Sequence, residues 1–295
     1  MERAIADLGR TQACPTTDNG QGISPRKEMK LFTTIYDDAR LLGHFLAHYD
    51  RAGVTEFFIA VAGDLGSAVR PLMSAYQITL CEGLGVADQY PFGVNATTET
   101  RRRYQNADEW ALVVDIDEFV EFPRPIAEII AAAEAEGANV VKAIMYDRFS
   151  ADGQPRGFEP SSDLASLYPV KTRFIRDVMK GADWKGVLVK GNIRPAGNFH
   201  NWEGQVVYSE MVEISHYKWT TDQIIDRVRA DYRITSQMGL PCADEYKRVL
   251  EHYERNGRFA WEEFGGQLVM PSVGGVAGAL EASDGGEMLR GSGHG

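Results

Sequence analysis

Apolar runs and helical repeats alternate over the first half of the chain. "MKLFTTIYD" and "VTEFFIAVA" have the length and apolar content of buried strands. Between them, apolar residues recur at helical spacing until Gly53, a typical helix stop. "QITLCEG", "WALVV" and "ANVVKAIMY" continue the strands, separated by predicted helices. The alternation predicts a doubly wound, mainly parallel α/β sheet with helices on both faces.

The pattern changes after Tyr146. Three shorter strands are predicted in "TRFIRD", "GVLVKG" and "QVVYSEMVEISHY", and two helices near 221–235 and 243–255. These shorter elements predict a smaller mixed C-terminal part. Polar residues 1–28 are expected to form a disordered or loosely packed leader, and glycine-rich residues 263–295 a mobile tail. The working domain is then 29–262.

Composition narrows the class of protein. The chain has 295 residues, 44% of them hydrophobic, and a net charge of -11, which disfavours nucleic acid as a partner. Cys14, Cys81 and Cys242 are widely spaced and predict free thiols rather than a zinc site. Neither a signal peptide nor an integral membrane segment is apparent. We therefore expect a cytoplasmic protein, with contact at the inner membrane face left open.

The segment "ALVVDIDEF" carries the most informative chemistry. Asp115 and Asp117 follow an apolar strand, and ligands bind beyond the carboxyl ends of strands in such sheets. Two residues apart in an extended segment, both carboxylates can face one site. Mg²⁺ or Mn²⁺ is commonly held by one or two carboxylates and substrate phosphates. The alternative is that these residues only cap the next turn.

Two further features extend this hypothesis. His216 in "EISHYKW" ends another predicted strand, and it would suit Mn²⁺ if the fold brought it to the aspartates. A purely structural histidine is the alternative. The segment 171–194 is rich in Lys and Arg and is interpreted either as a phosphate-binding patch or as a solvated face.

Together these stretches resemble the bacterial DxDEF-bearing branch of glycosyltransferase family 2, which has the GT-A fold. The resemblance spans about residues 30–235. It rests on "LFTTIYDDARLLGHFLAHYDRAGVTEFFI", "ADEWALVVDIDEFVEFP", "VKGNIRPAGNFH" and "ISHYKW". It implies a GT-A-like sheet, a UDP- or GDP-sugar donor, Mn²⁺ or Mg²⁺, and transfer to a carbohydrate or lipid-linked acceptor.

The resemblance also implies roles for individual residues. The metal would be held by Asp115, Asp117 and His216, with Asp115 also able to contact the ribose. The donor pocket would be lined by Thr33, Thr34, Asp38, Lys190 and Arg194, of which the last two face the diphosphate.

An inverting enzyme also needs a base for the acceptor hydroxyl. Asp147, directly after the fifth predicted strand, and His200 in "GNFHNWEG" are the two catalytic candidates. Trp202 could stack on a sugar.

Two other functions remain open at this stage. A haloacid-dehalogenase-type phosphatase also carries DxD after an apolar strand, but its motif opens the domain, and Phe119 stands here where Thr or Val is usual. A non-catalytic nucleotide- or sugar-binding module is the other alternative.

Overall fold

The computed structural model describes residues 28–36, 38–84 and 92–269. The predicted leader up to residue 27, Asp37, Cys14 and the tail beyond residue 269 lie outside this part of the chain. Its strands form one sheet and are, in chain order, β1 Lys30–Ile35, β2 Glu56–Val61, β3 Ile78–Cys81, β4 Trp110–Val113, β5 Glu118–Glu121, β6 Val140–Phe149, β7 Val170–Thr172, β8 Trp184–Lys190, β9 Val212–His216 and β10 Gln267–Leu268.

Five longer helices accompany these strands. They are α1 Leu42–Arg51, α2 Phe92–Tyr104, α3 Ile126–Ala135, α4 Ile224–Gln237 and α5 Ala243–Asn256. Shorter helical segments are Gly66–Val69, Arg70–Ser74, Leu164–Leu167, Ile175–Met179 and Trp261–Phe264. None of the helices within the described residues is long and apolar enough to cross a membrane.

The sheet has the order β10-β7-β6-β8-β4-β1-β2-β3. Strands β3, β2, β1 and β4 are parallel, whereas β8 is antiparallel to both β4 and β6. Strand β6 therefore runs in the same direction as β4. The predicted α/β class and largely parallel sheet are confirmed, with antiparallel pairs concentrated in the C-terminal half.

Helices cover both faces of this sheet. Helix α1 buries one stripe, including Phe45 and Leu46, in the same core cluster as Leu31 and Ile35 of β1. Alternate residues of a strand point to opposite faces. Phe32 accordingly packs on the other face, stacked on Phe58 with the ring centroids 4.8 Å apart. Helix α2 contacts this second side of β1 and β2.

The predicted strand in "TRFIRD" is wrong. Strand β7 ends at Thr172, and Ile175–Met179 forms a π-helix instead. The N–H of Ile175 donates a 2.9 Å hydrogen bond to the Asp147 carboxylate, and Phe174 is fully buried against aromatic neighbours. Because these tertiary contacts fix the segment, its alternating apolar pattern does not extend the strand.

Two other differences are an additional strand, β5, and a later end of the regular structure. Strand β5, which the sequence pattern did not indicate, pairs with β9 directly after the acidic turn. Regular structure also continues past residue 262, because β10 pairs antiparallel with β7.

Gly153 provides a test of how tightly the loop after β6 is packed. Its φ is +72°, and an added Cβ would lie 2.2 Å from the carbonyl oxygen of Phe259. We expect Gly153→Ala to lower the free energy of unfolding by about 2–5 kcal/mol, from backbone strain and overpacking together. Urea denaturation measures this change. Gly157→Ala is the matched control, since nothing lies within 4 Å of its added Cβ; an equal loss there would contradict the prediction.

Candidate functional site

An acidic turn joins β4 to β5 at the carboxyl end of the parallel strands. The N–H of Asp115 donates a 2.8 Å bond to the Glu118 carboxylate, and the Glu118 N–H returns one of 3.1 Å to the Asp115 carbonyl. The side chains of Asp115 and Asp117 are partly exposed, at 48% and 26%. The turn thus keeps both aspartates at the surface while Glu118 enters the interior.

Strand β9 brings His216 to this turn. In the sheet, His216 lies opposite Glu118 of β5 and opposite Asp147 of β6. Its Nε2 is 3.4 Å from Asp117 Oδ2, and its Nδ1 is 3.0 Å from Asp147 Oδ1. Two side chains distant in sequence, Asp117 and His216, therefore meet at one point.

The charges of Asp117 and His216 strongly affect each other's pKa. Burial would lower the pKa of His216, but Asp117 and Asp147 outweigh it and raise that pKa to about 10. Burial would likewise raise the pKa of Asp117, but His216 and nearby lysines bring it down to about 2. Asp117 is therefore ionised near neutral pH, and His216 forms an ion pair with it whenever no other cation is bound.

A divalent cation fits these two residues. The Nδ1–H of His216 donates to Asp147, an arrangement that orients an imidazole so that Nε2 is directed at a metal. Asp117 Oδ2, 3.4 Å from Nε2, lies at a spacing suited to neighbouring ligands of one ion. Within the described residues no group of three or more His, Cys, Asp or Glu side chains forms a metal site. Substrate phosphate and water would therefore have to supply the remaining ligands.

Asp115, the third predicted metal ligand, is directed elsewhere. Its Oδ2 is 2.6 Å from the ammonium of Lys185, which lies equally close to Glu118 Oε2. Lys185 and Glu118 are buried, with side chains 4% and 3% exposed. Asp115 therefore forms the exposed end of an ionic cluster whose other two members, Lys185 and Glu118, are buried. It also lines the cavity described below.

Asp147 does not fit its predicted role as catalytic base. Its side chain is fully buried, and one oxygen accepts from His216 and, at 2.7 Å, from Trp219 Nε1. Its other oxygen accepts from the N–H of Ile175. With no access to an acceptor hydroxyl, Asp147 positions His216.

The predicted roles of His200 and Trp202 also disagree with their surroundings. His200 donates from Nδ1 to the carbonyl of Trp184, and it does not line the cavity. Trp202 is 2% exposed, stacked on Phe199, with the guanidinium of Arg101 4.6 Å from its ring centroid. Trp202 is therefore core and cannot stack on a sugar.

Lys190 and Arg194 lie at the wrong end of the sheet. Because β8 is antiparallel to β4, Lys190 pairs with Trp110 at the amino end of β4. Its ammonium binds Glu134 at 2.9 Å. Exposed Arg194 follows in the next loop and does not line the cavity. Neither residue can face a diphosphate held at Asp117.

The rest of the predicted basic patch is largely neutralised by ion pairs. Lys171 pairs with Glu213, Arg173 with Asp183, and Arg176 with the neighbouring Asp177. These three cations are thus held by neighbouring carboxylates, which favours the interpretation of the segment as a solvated face over that of a phosphate-binding patch.

Beside the acidic turn lies a cavity of about 150 Å³. It reaches the surface at Tyr36, which is 56% exposed. Its polar lining comprises Thr34, Asp38, Arg40, Asp115, Asp117, His216, Lys218, Thr220, Arg227 and Asp231. The site therefore contains carboxylates and cations close together, as binding of a metal-complexed anion requires.

Of the residues predicted from the first strand, two line this cavity. Thr34 does so and shares a 2.7 Å hydrogen bond with Thr97. Asp38 also lines the cavity, and both of its carboxylate oxygens accept from Arg40. Thr33 points away from the cavity, and its buried hydroxyl has no hydrogen-bond partner within the described residues.

Sequence reasoning missed the two lysines nearest the acidic turn, Lys185 and Lys218. Lys185 lies in the basic segment 171–194, and Lys218 lies in "ISHYKW"; neither was given a role of its own. The direction of β8 would have been the signal for Lys185, because an antiparallel neighbour of β4 begins where β4 ends.

Comparison with known proteins shows only distant structural similarity. No family model and no curated protein matches the chain. UDP-glucose pyrophosphorylase complexed with UDP-glucose has a TM-score of 0.36 at 10% identity, over 70% of this chain and 99% of that one. HddC from Yersinia pseudotuberculosis has a TM-score of 0.29 at 11% identity, over 41% of this chain and 58% of HddC.

A third structure, 4-diphosphocytidyl-2C-methyl-D-erythritol synthase from Anaerococcus prevotii, has a TM-score of 0.29 at 11% identity. The alignment covers 79% of this chain and 84% of the synthase. Similarities this low carry no conclusion about the reaction.

Proposed function

We propose that the protein is a metal-dependent glycosyltransferase that moves a sugar from a UDP- or GDP-sugar to a carbohydrate or lipid-linked acceptor. One observation carries the proposal: Asp117 Oδ2 and His216 Nε2 lie 3.4 Å apart beside a cavity at the carboxyl ends of the parallel strands. This is the position at which open α/β sheets bind their ligands. The pair joins the acidic and histidine motifs on which the family resemblance rests.

The roles of the chain's own residues follow from their contacts. Asp117 and His216 would hold Mn²⁺ or Mg²⁺, and the bound cation supplies charge neutralisation for a departing nucleoside diphosphate. Asp147 fixes the ring of His216 through Nδ1. Lys185 holds Asp115, and with it the turn that carries Asp117. Arg40, Asp38 and Thr34 line the remaining space for the donor.

The direct experiment measures release of UDP or GDP from a panel of nucleotide sugars, with Mn²⁺ and a panel of acceptors. We expect sugar-dependent release that EDTA abolishes, and a rise in melting temperature with UDP or GDP plus Mn²⁺. Release should increase when the correct acceptor is present.

Three other outcomes would contradict the proposal and identify a different function. Hydrolysis of an aryl phosphate would favour the phosphatase. Binding of nucleotide sugar without turnover across all acceptors would favour a binding module. Pyrophosphate release from a nucleoside triphosphate and a sugar 1-phosphate would instead indicate nucleotidyl transfer.

A further inference from the structure

Lys218 is a cation of the candidate site whose ammonium contacts no carboxylate of the described residues. It lines the cavity, half-buried, two residues after His216. Within residues 28–36, 38–84 and 92–269 no carboxylate forms an ion pair or hydrogen bond with its ammonium, and Asp117 and Asp231 attract it only from beyond ion-pair distance. A buried or half-buried charge is normally paired. We therefore expect an anionic ligand to contact the ammonium of Lys218.

Two aromatic rings lie next to the ammonium of Lys218. Its Nζ lies 5.6 Å from the ring centroid of Trp219 and 5.6 Å from that of Tyr246. Cation–π contacts attract the charge but do not use up its hydrogen-bond donors in the way that a carboxylate would. The N–H donors of Lys218 therefore stay available to an anion in the cavity.

The backbone ties Lys218 to the proposed metal ligands. The N–H of Tyr217, between His216 and Lys218, donates a 2.8 Å bond to the carbonyl of Asp117. The segment 216–218 and the acidic turn therefore hold a fixed relation to each other. An anion coordinated to a cation at Asp117 and His216 would lie within the same cavity as the lysine.

The other basic residues of the cavity are already engaged. Arg40 donates to both carboxylate oxygens of Asp38, at 3.0 Å to Oδ1 and 2.6 Å to Oδ2. Arg227 lies 3.8 Å from the same carboxylate. Both guanidinium groups thus lie within ion-pair distance of Asp38, whereas none of the described carboxylates is that close to Lys218.

The geometry points to Lys218 as the residue that binds the diphosphate of the nucleotide donor and neutralises it as the sugar leaves. This role, resting on the function proposed above, is the one that the family resemblance implied for Lys190 and Arg194. A lysine in this place acts as a point charge on phosphate oxygens.

The test measures binding of UDP and GDP with Mn²⁺ by calorimetry to wild type, Lys218→Met and Lys218→Arg. We expect the dissociation constant to rise about 10- to 100-fold in Lys218→Met, as for loss of a charged hydrogen bond. Lys218→Arg, which keeps the charge, should regain most of the affinity. Lys247→Met is the control, because Lys247 is exposed, outside the cavity and next to Tyr246.

A second measurement uses the wild-type protein and does not depend on folding of a variant. Lysines are acetylated with and without UDP or GDP plus Mn²⁺ and quantified by mass spectrometry. Bound nucleotide should slow modification of Lys218 but not that of Lys247.

The outcomes separate the two claims. Unchanged affinity in Lys218→Met, equal losses in the folded Met and Arg variants, or no protection of Lys218 while nucleotide is bound would overturn the role of Lys218 alone. Absence of any binding of UDP or GDP by the wild-type protein with Mn²⁺ would overturn this role and the proposed function together.

Discussion

Asp117→Asn is expected to abolish Mn²⁺-dependent nucleotide release and the Mn²⁺-dependent rise in melting temperature. The substitution keeps the size of the side chain but removes the negative charge that lies 3.4 Å from His216 Nε2. Loss of a metal ligand removes several kcal/mol of charge stabilisation, so we expect at least about a 100-fold decrease in kcat/KM. Initial rates over a Mn²⁺ titration measure this change.

The matched control is Asp226→Asn. Asp226 lies on α4, its side chain is 81% exposed, and its partner is Arg229 on the same helix. The Asp226→Asn variant should release nucleotide at the same rate as the wild type. If Asp117→Asn retained the Mn²⁺ response, the metal site would have to lie elsewhere.

Lys185→Met is expected to be strongly destabilising. It would leave the buried Glu118 carboxylate, and Asp115 beside it, without their shared cation. Removing one partner of a buried ion pair typically costs about 3–5 kcal/mol, because the other charge stays buried and uncompensated. The free energy of unfolding from urea denaturation measures the loss.

Lys190→Met tests the same chemistry at the other end of the same strand. Its ion pair with Glu134 is partly exposed, so the loss should stay below about 1 kcal/mol. Adding Glu118→Gln to Lys185→Met should recover part of the stability by removing the uncompensated charge. Equal losses at Lys185 and Lys190 would show that the cluster of Lys185, Asp115 and Glu118 does not act as a buried ion pair.

The parallel half of the fold could be predicted because its signals are local. Strands β1, β2 and β4 are uninterrupted apolar runs, and a helix with one apolar stripe follows β1. The same locality made the acidic turn visible, since Asp115 and Asp117 directly follow a buried strand.

The C-terminal half was harder because its chemistry depends on strand direction. Lys185 and Lys190 stand at the two ends of β8, and only the antiparallel pairing with β4 decides which one reaches the acidic turn. Sequence periodicity carries no information on that direction.

Trp202 shows a second limit. An aromatic residue in a polar loop suggested a binding surface, yet it packs against β8 at Gly186, where an added Cβ would lie 2.3 Å from Trp202 Nε1. A glycine inside a strand often marks such a close approach. Gly186 was therefore the residue from which the burial of Trp202 could have been predicted.

The position of β9 between β5 and β6 has a consequence for how the protein folds. Since alternate side chains of a strand face opposite ways, a slip of β9 by one residue would turn the imidazole away from both of its carboxylate partners. If Asp117 and His216 hold Mn²⁺ as proposed, a misaligned intermediate would be unable to retain the ion. Metal uptake during refolding would then report when β9 reaches its native alignment.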